Sequence, residues 1–317
     1  MRGRLKKLRK YLMLSSCILP SGIRIWLMRL LGAHIGHHVH LGFLSPIWGE
    51  SIEIGDHVQV YPVTAIVCRK YVKLGAYTKV QSFVLIYGET GVRFEGKCYV
   101  GPKCLINATE EVSLGYYSGL GPCTQVYTHG VWLPYTQGYP RKFEKVAIGD
   151  YVWVPAGVLV LPGSVIGTGT ILGAGAVVTA AIPENSYAAG NPARVLHPVS
   201  ELFSGHLDLK TRINEMIHAF VSDDLGQDAT DLERLPDVIS FRYLGKQYRI
   251  LLTEEGAANA SNHIIEIQIC SKSWLGNKSS ASFNVESLSC KNIDSIVSRL
   301  FFNFCSRYYG VKFTILD

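Results

Sequence analysis

The sequence predicts a mainly β chain. Its centre is a parallel β-helix of hexapeptide repeats, with an amphipathic helix before it and a small α+β domain after it. Three observations carry this. An aliphatic residue, usually followed by glycine, recurs as Ile54, Leu74, Phe94 and Leu114 at even spacing, then as Ile148 and Ile166. Two further columns lie six and twelve residues on: Val60, Val80, Val100, Leu120, Val154, Leu172, and Ile66, Ile86, Ile106, Val126, Val160, Val178. Each first-column residue also has a small or β-branched residue four places later, as at Val58, Thr78, Cys98, Ser118, Val152 and Thr170. A helical stripe drifts with the 3.6-residue turn and cannot hold a period of six, whereas short strands joined by tight corners hold it, three hexapeptides to a triangular coil. Ordinary strands of a sandwich would not align three columns over so many turns.

Composition bounds the rest. A chain of 317 residues has room for about two domains, and 48% hydrophobic against 18% charged residues excludes a disordered chain. The formal charge of +6 is concentrated, since six of the first ten residues are Lys or Arg, so one terminus explains the excess and no nucleic-acid partner is implied. Eight cysteines form no CxxC pair. Cys98 and Cys104 fall at small inward positions of the repeat, where cysteine acts as a compact hydrophobe, and reduced thiols in the cytoplasm are expected.

Taken in order, residues 1–30 form a basic amphipathic segment, 31–199 the β-helix and 200–317 the α+β domain. The basic head and the apolar run after Tyr11 imitate a signal peptide, but Pro20 follows, no small-x-small cleavage site precedes the fold, and the run is too short to span a bilayer. Over 21–31 a helical apolar stripe of Ile23, Trp26, Leu27, Leu30 and Leu31 runs beside Arg24 and Arg29. Such a segment suits two compatible roles: capping the open end of the coil, and peripheral contact with an anionic membrane. His34, His37, His38 and His40 crowd the first coil, but outward side chains on one strand diverge where a metal needs convergent ligands, so no metal site is expected. Gly55, Gly75, Gly101, Gly115 and Gly121 mark corners, where positive φ or close backbone approach is expected.

The period breaks once. The interval from Leu114 to Ile148 is longer than any other, and the excess is a loop over 129–145 that opens with His129 and carries Trp132, Tyr135, Tyr139 and Phe143 beside Arg141 and Lys142. Solenoids put insertions outside the wall, often on the binding face. Aromatic and cationic side chains suit stacking on a sugar ring and neutralising phosphate, and equally suit packing on a neighbouring subunit.

The segments Val126-Tyr-Thr-His129, Val146-Ala-Ile-Gly-Asp-Tyr-Val-Trp-Val-Pro-Ala156, Leu161-Pro-Gly-Ser-Val-Ile-Gly167 and Ile182-Pro-Glu-Asn-Ser-Tyr-Ala-Ala-Gly-Asn-Pro-Ala-Arg194 closely resemble the hexapeptide-repeat O-acetyltransferases, whose coil is left-handed. The entry Arg29-Leu-Leu-Gly-Ala-His-Ile-Gly36 resembles the branch that acetylates colanic acid, capsule and O-antigen polysaccharides. The likeness covers roughly residues 22–198. It implies direct transfer from acetyl-CoA to a sugar hydroxyl of a glycan or a lipid-linked oligosaccharide, without a metal, in a homotrimer. His129 would be the general base. Trp153 and the Ala156 amide would sit at the thioester, and Gly173, Ala174 and Arg194 along the coenzyme. Trp132, Tyr135, Tyr139, Arg141 and Asn107 would meet the acceptor. Asn107 does not stand at the family's Asn position, and Glu144 is the candidate to orient His129. Where the family has Trp-Ile-Gly this chain has Trp153-Val-Pro155, which removes an N–H beside the proposed donor.

Other readings remain beside this one: an N-acetyltransferase on an amino-sugar nucleotide, or a non-catalytic scaffold. A zinc carbonic anhydrase on the same coil needs three convergent histidines, and His129 has no H-x4-H partner. After Pro198 the glycine corners vanish. A helix over 207–225, a hairpin over 237–253 around Gly245, a strand over 263–270, a helix over 291–309 and a short strand over 311–316 are expected, with no motif among them.

Overall fold

The repeated columns stack in register. In the computed structural model, which describes residues 2–131, 133–202, 208–235, 237–253, 264–268, 281–285 and 287–316, Ile54 pairs with Leu74, Leu74 with Phe94, Phe94 with Leu114, and Leu114 with Ile148, all in parallel. Val60 to Val154 make a second such ladder, and Ile66 to Val178 a third. Each ladder is one wall of a left-handed β-helix, of seven, nine and seven strands, and successive strands visit the walls in turn. The columns fill the prism, as do the small residues four places later, with Val58, Thr78 and Ser118 fully buried and Cys98 at 1% exposure. Uniform inward side chains make the coil a nearest-neighbour structure, each turn resting on the last.

The three corners are built differently. At the first, between the first and second walls, His38, His57, Tyr77, Lys97, Tyr117 and Tyr151 all take left-handed φ. At the second, Leu44, Val63, Phe83, Lys103 and Cys123 do the same. Left-handed φ is uncommon outside glycine and unfavourable for a bulky or β-branched residue. On the first corner stacking offsets that cost: ring centroids are 4.8 Å apart for His38 and His57, 4.7 Å for His57 and Tyr77, and 5.5 Å for Tyr117 and Tyr151, with Lys97 Nζ 5.7 Å from the Tyr117 ring. The corner glycines were expected to serve positive φ or close backbone approach, and the second holds. None of the five has a positive φ. They serve close approach, since a Cβ on Gly75 would lie 2.0 Å from the Glu95 carbonyl oxygen, and one on Gly121 2.6 Å from the Pro155 carbonyl carbon. The third corner is widened by two residues in successive coils, at Arg69 with Lys70, Glu89 with Thr90, and Thr109 with Glu110, and there the long loop leaves.

Both ends of the stack change grammar. At the far end Ser186–Ala189 adds in parallel to the second wall, and Arg194–Pro198 then pairs with it antiparallel. At the near end lie α1 (Arg2–Ser15) and α2 (Ser21–Leu30), the first of which the sequence reading did not resolve as a helix. Met13 and Met28 join the coil's core, so these helices cap it. The apolar stripe of α2 is not the buried face. Ile23, Trp26 and Leu30 are exposed, whereas Arg24 is fully buried. The Arg24 guanidinium donates from Nη1 to Gly42 O (3.2 Å) and Ser45 Oγ (2.9 Å) and from Nη2 to Ser45 O, so it ties α2 to the loop that follows the second wall's first strand. Burial lowers its pKa to about 10.

The chain divides into two compact units, Met1–Ser204 and Gly205–Asp317. Among its described residues the second holds a seven-stranded mixed sheet and two α-helices. α3 (Leu209–Ala219) starts where the Asp208 carboxylate accepts from Thr211 N, and α4 (Ile296–Tyr308) where Ser295 Oγ accepts from Ser298 N, the N-cap arrangement that satisfies otherwise unpaired amides. Phe220, Phe283 and Phe301 meet edge-on at 5.0 to 5.1 Å. The expected hairpin is Val238–Tyr243 with Lys246–Thr253, turning at Gly245. The first expected helix stops at Ala219 and runs into a wider turn over Phe220–Asp224. The second begins at Ile296 because Ser289–Lys291 is a strand. Of the expected strand over 263–270, Ile264–Gln268 is seen, and the remainder lies outside the described residues. Strands Ala229–Leu235 and Ala281–Asn284 were not anticipated.

Candidate active site

His129 occupies the widened third corner, where the coil leaves its wall after Gln125–Val126. His129–Gly130 pairs antiparallel with Lys142–Phe143, which closes the loop into a hairpin and lays the Phe143 ring on the imidazole at 5.6 Å and 26°. Arg141 lies 5.3 Å from the other member of that pair, over Phe143. One face of His129 is thus covered and the side chain half-buried.

The group that orients the imidazole is Asn107, not Glu144. His129 Nδ1 is 2.8 Å from Asn107 Oδ1, and Asn107 is 1% exposed. Glu144 is exposed and pairs with Lys142 at 3.5 Å. The Thr109 amide reaches the same Oδ1 at 3.4 Å, and Thr128 Oγ1 stands 3.2 Å away while accepting from Glu110 N at 3.0 Å. A backbone N–H can only donate, so the atom it faces is the amide oxygen, and this settles which way Asn107 points. An amide oxygen can only accept, so Nδ1 carries the proton and Nε2 presents a lone pair. A half-buried imidazole with a fixed tautomer can take a proton from a hydroxyl.

The other expected residues lie elsewhere on the coil. Trp153 is half-exposed on the second wall, its ring over Gly119, where a Cβ would come within 2.9 Å of it. Ala156 and Ala174 are exposed at the second corner of successive coils, each followed by a glycine of left-handed φ, Gly157 and Gly175. Among the described residues no backbone acceptor takes either alanine's N–H, and Pro155 leaves the Ala156 donor in place. Gly173 is buried, and a Cβ there would meet the Ala189 methyl at 2.6 Å, so its part is packing. Arg194 is exposed, its Nη1 donating to the Ala193 carbonyl. Tyr135, Tyr139 and Arg141 are exposed on the loop, and Trp132 lies outside the described residues. One chain therefore brings together His129, Asn107, Thr128 and Phe143, while the candidate donor amides stand on a different corner.

Residues 145–180 match the family described as bacterial transferase hexapeptide, six repeats. The coils over those residues therefore match the hexapeptide repeats of that transferase family. This hexapeptide-repeat chain is 42% identical over 77 residues to a putative acetyltransferase of Saccharomyces cerevisiae, across 21% of this chain and 39% of that one. It is 49% identical over 51 residues to a putative lipopolysaccharide biosynthesis O-acetyl transferase of Escherichia coli, across 16% and 26%. It is 31% identical over 121 residues to the galactoside O-acetyltransferase of Lactococcus lactis, across 38% and 58%. The chain thus spans less than two thirds of the length of each.

Proposed function

We propose that this chain is an acetyl-CoA-dependent O-acetyltransferase that acts on a sugar hydroxyl of a bacterial surface polysaccharide or its lipid-linked precursor. The observation that carries it is the 2.8 Å contact of His129 Nδ1 with a buried amide oxygen, which leaves Nε2 free as a base at the root of an exposed aromatic loop. The names of the relatives, acetyltransferases of a galactoside and of lipopolysaccharide biosynthesis, support the acyl group and the acceptor class.

Acetyl-CoA would supply an acetyl thioester. Ala156 and Ala174 fit it, being exposed residues of successive coils whose N–H groups no described backbone acceptor takes, and Arg194 offers a cation to its phosphates. His129 Nε2 takes the proton of the attacking hydroxyl while the sugar oxygen bonds to the acetyl carbon. The Asn107 carbonyl oxygen stabilises the imidazolium that results. An N–H donor at the second corner meets the charge that grows on the acetyl oxygen, a contribution of about 3 kcal/mol per donor where it has been isolated. His129 then returns its proton to the departing sulfur, so no net proton is gained or lost. Tyr135, Tyr139 and Arg141 hold the acceptor by stacking and charge. Because His129 and the two amides occupy different corners, the reading requires a second copy to complete the site, consistent with a trimer; an active monomer by light scattering would overturn that part. We place the protein in the cytoplasm, where acetyl-CoA is available. No helix among the described residues is long and apolar enough to cross a membrane.

The test is the O-acetyl content of the source cell's surface glycan, by mass spectrometry, in a deletion strain carrying either the intact gene or His129→Ala. Acetyl restored only by the intact gene supports reaction and base together. Equal restoration by both removes His129 from the mechanism, and restoration by neither moves the search to amino-sugar acceptors or a scaffold.

A further inference from the structure

We propose that the outer face of α1 and α2 is a docking surface for an anionic lipid bilayer, on which the solenoid stands by its near end. The observation is the inverted burial of α2. Ile23, Trp26 and Leu30 share one helical face at steps of three and four, and are 55%, 62% and 65% exposed, whereas Arg24 on the opposite side is fully buried. A soluble cap would turn its apolar stripe into the core and its cations to water. Here Arg24 is held inside by the carbonyls of Gly42 and Ser45, which fixes the apolar face outward.

α1 carries exposed apolar residues of its own. Leu8 and Tyr11 are 56% and 68% exposed, and Ile18, at 61%, follows in the turn between the helices. The Leu44 amide donates to Cys17 O at 2.9 Å, so the exposed Phe43 and Leu44 of the first coil adjoin that turn. Isolated apolar residues on a surface call for no explanation, but a run of this kind on two consecutive helices does.

Charge selects the occupant. Arg2, Arg4, Lys6, Lys7, Arg9 and Lys10 precede or flank the apolar residues of α1, and no Asp or Glu occurs before Glu50. Lys7 and Lys10 are exposed. An apolar strip on a segment whose charged residues are all cations matches the interface of an anionic membrane, where aromatic rings and aliphatic chains enter at headgroup depth and Lys and Arg meet phosphate. Neither helix is long enough to span, so both lie in the plane of the surface. A second copy of the same face would set cation against cation. The inference stands independently of the acetyl-transfer reading, and would place the coil's near end at the membrane.

The experiment uses the full chain with vesicles of phosphatidylglycerol or of phosphatidylcholine. Flotation with the anionic vesicles is expected, weakening as salt is raised. Brominated phosphatidylglycerol is expected to quench tryptophan emission, and Trp26→Ser to abolish that quenching. The triple variant Ile23→Ser, Trp26→Ser, Leu30→Ser should lose about a hundredfold in partition, because three side chains no longer leave water. Its circular dichroism and hydrodynamic size should be unchanged, because the substituted side chains project from the fold. If the triple variant unfolds, the single variant read by quenching decides. Equal binding to both vesicle types, undiminished binding by the variant, or flotation without quenching overturns the proposal. So does a fall in oligomer size on substitution, which would assign the face to a second copy.

Discussion

Along the first corner of the prism, His57, Tyr77, Lys97, Tyr117 and Tyr151 follow one another in a single backbone conformation, and most rest on a ring of the coil beside them. Along the third, Arg69, Glu89, Thr109 and His129 hold corresponding places in successive coils and share no chemistry. Where coils agree in backbone conformation, a side chain rests on a ring of the coil beside it, and the corner can do little but hold the stack together. Where coils differ, a side chain meets a partner that occurs once, as His129 meets Asn107. Repetition builds the wall, and local departure from it builds the site.

The largest test of that contrast is His129→Ala. It should lower the turnover of acetyl-CoA with a glycan acceptor by about a hundredfold to ten-thousandfold, as general-base loss does, while thermal unfolding stays within about a degree of the parent. Asn107→Ala should be next, at about tenfold to a hundredfold, as for groups that orient a working imidazole. Its loss should fall on kcat with KM little changed, and the pH–rate profile should shift, because the imidazole loses its fixed tautomer. A purely structural Asn107 would lower Tm and leave that profile in place.

On the first corner the contrast is sharpened by a pair. Tyr117→Ala forfeits stacking and keeps a side chain at φ 59°, whereas Tyr117→Gly forfeits stacking and relieves the backbone. In chemical denaturation alanine should therefore be the less stable by about 1 kcal/mol, with activity intact in both. The smallest effect concerns reactivity alone. Burial pushes the Cys68 thiol to about 12 and that of Cys104 to about 11, while Cys123 is exposed at the second corner. Iodoacetamide at neutral pH should mark Cys123 before Cys68 and Cys104, which it should reach only after unfolding, as read by peptide mass.

The columns were legible because every coil states the same rule again, so a single exception such as Phe94 does no harm. His129 was legible as the place where the rule stops. Asn107 was harder. It is in register with Tyr87, at a place in the strand where Tyr87 is half-exposed, so alternation predicts an outward side chain. It is buried because Thr109, Thr128 and His129, from its own coil and the next, converge on its oxygen, and convergence of that kind leaves no period in a sequence. A polar residue of small volume in a column otherwise holding Val67, Tyr87 and Tyr127 was the available sign. Arg24 misled for the opposite reason. Helical periodicity says which residues share a face, but not which face turns inward, and carbonyl oxygens at 42 and 45 decided that. In the second unit neither strand Ala229–Leu235 nor strand Ala281–Asn284 was foreseen, since no repeat there checks one strand against another.

A parallel stack of coils is in principle endless, for each turn offers the next a full set of amides and carbonyls. The strand Arg194–Pro198 runs counter to those below it, so a further coil arriving from another molecule would meet donors and acceptors at the wrong spacing. The opposite end lies under two helices. The solenoid is therefore finite because terminators are written at both ends, not because the repeat is exhausted. Its height becomes a free variable, which duplication or loss of one internal turn changes while both closures stay as they were.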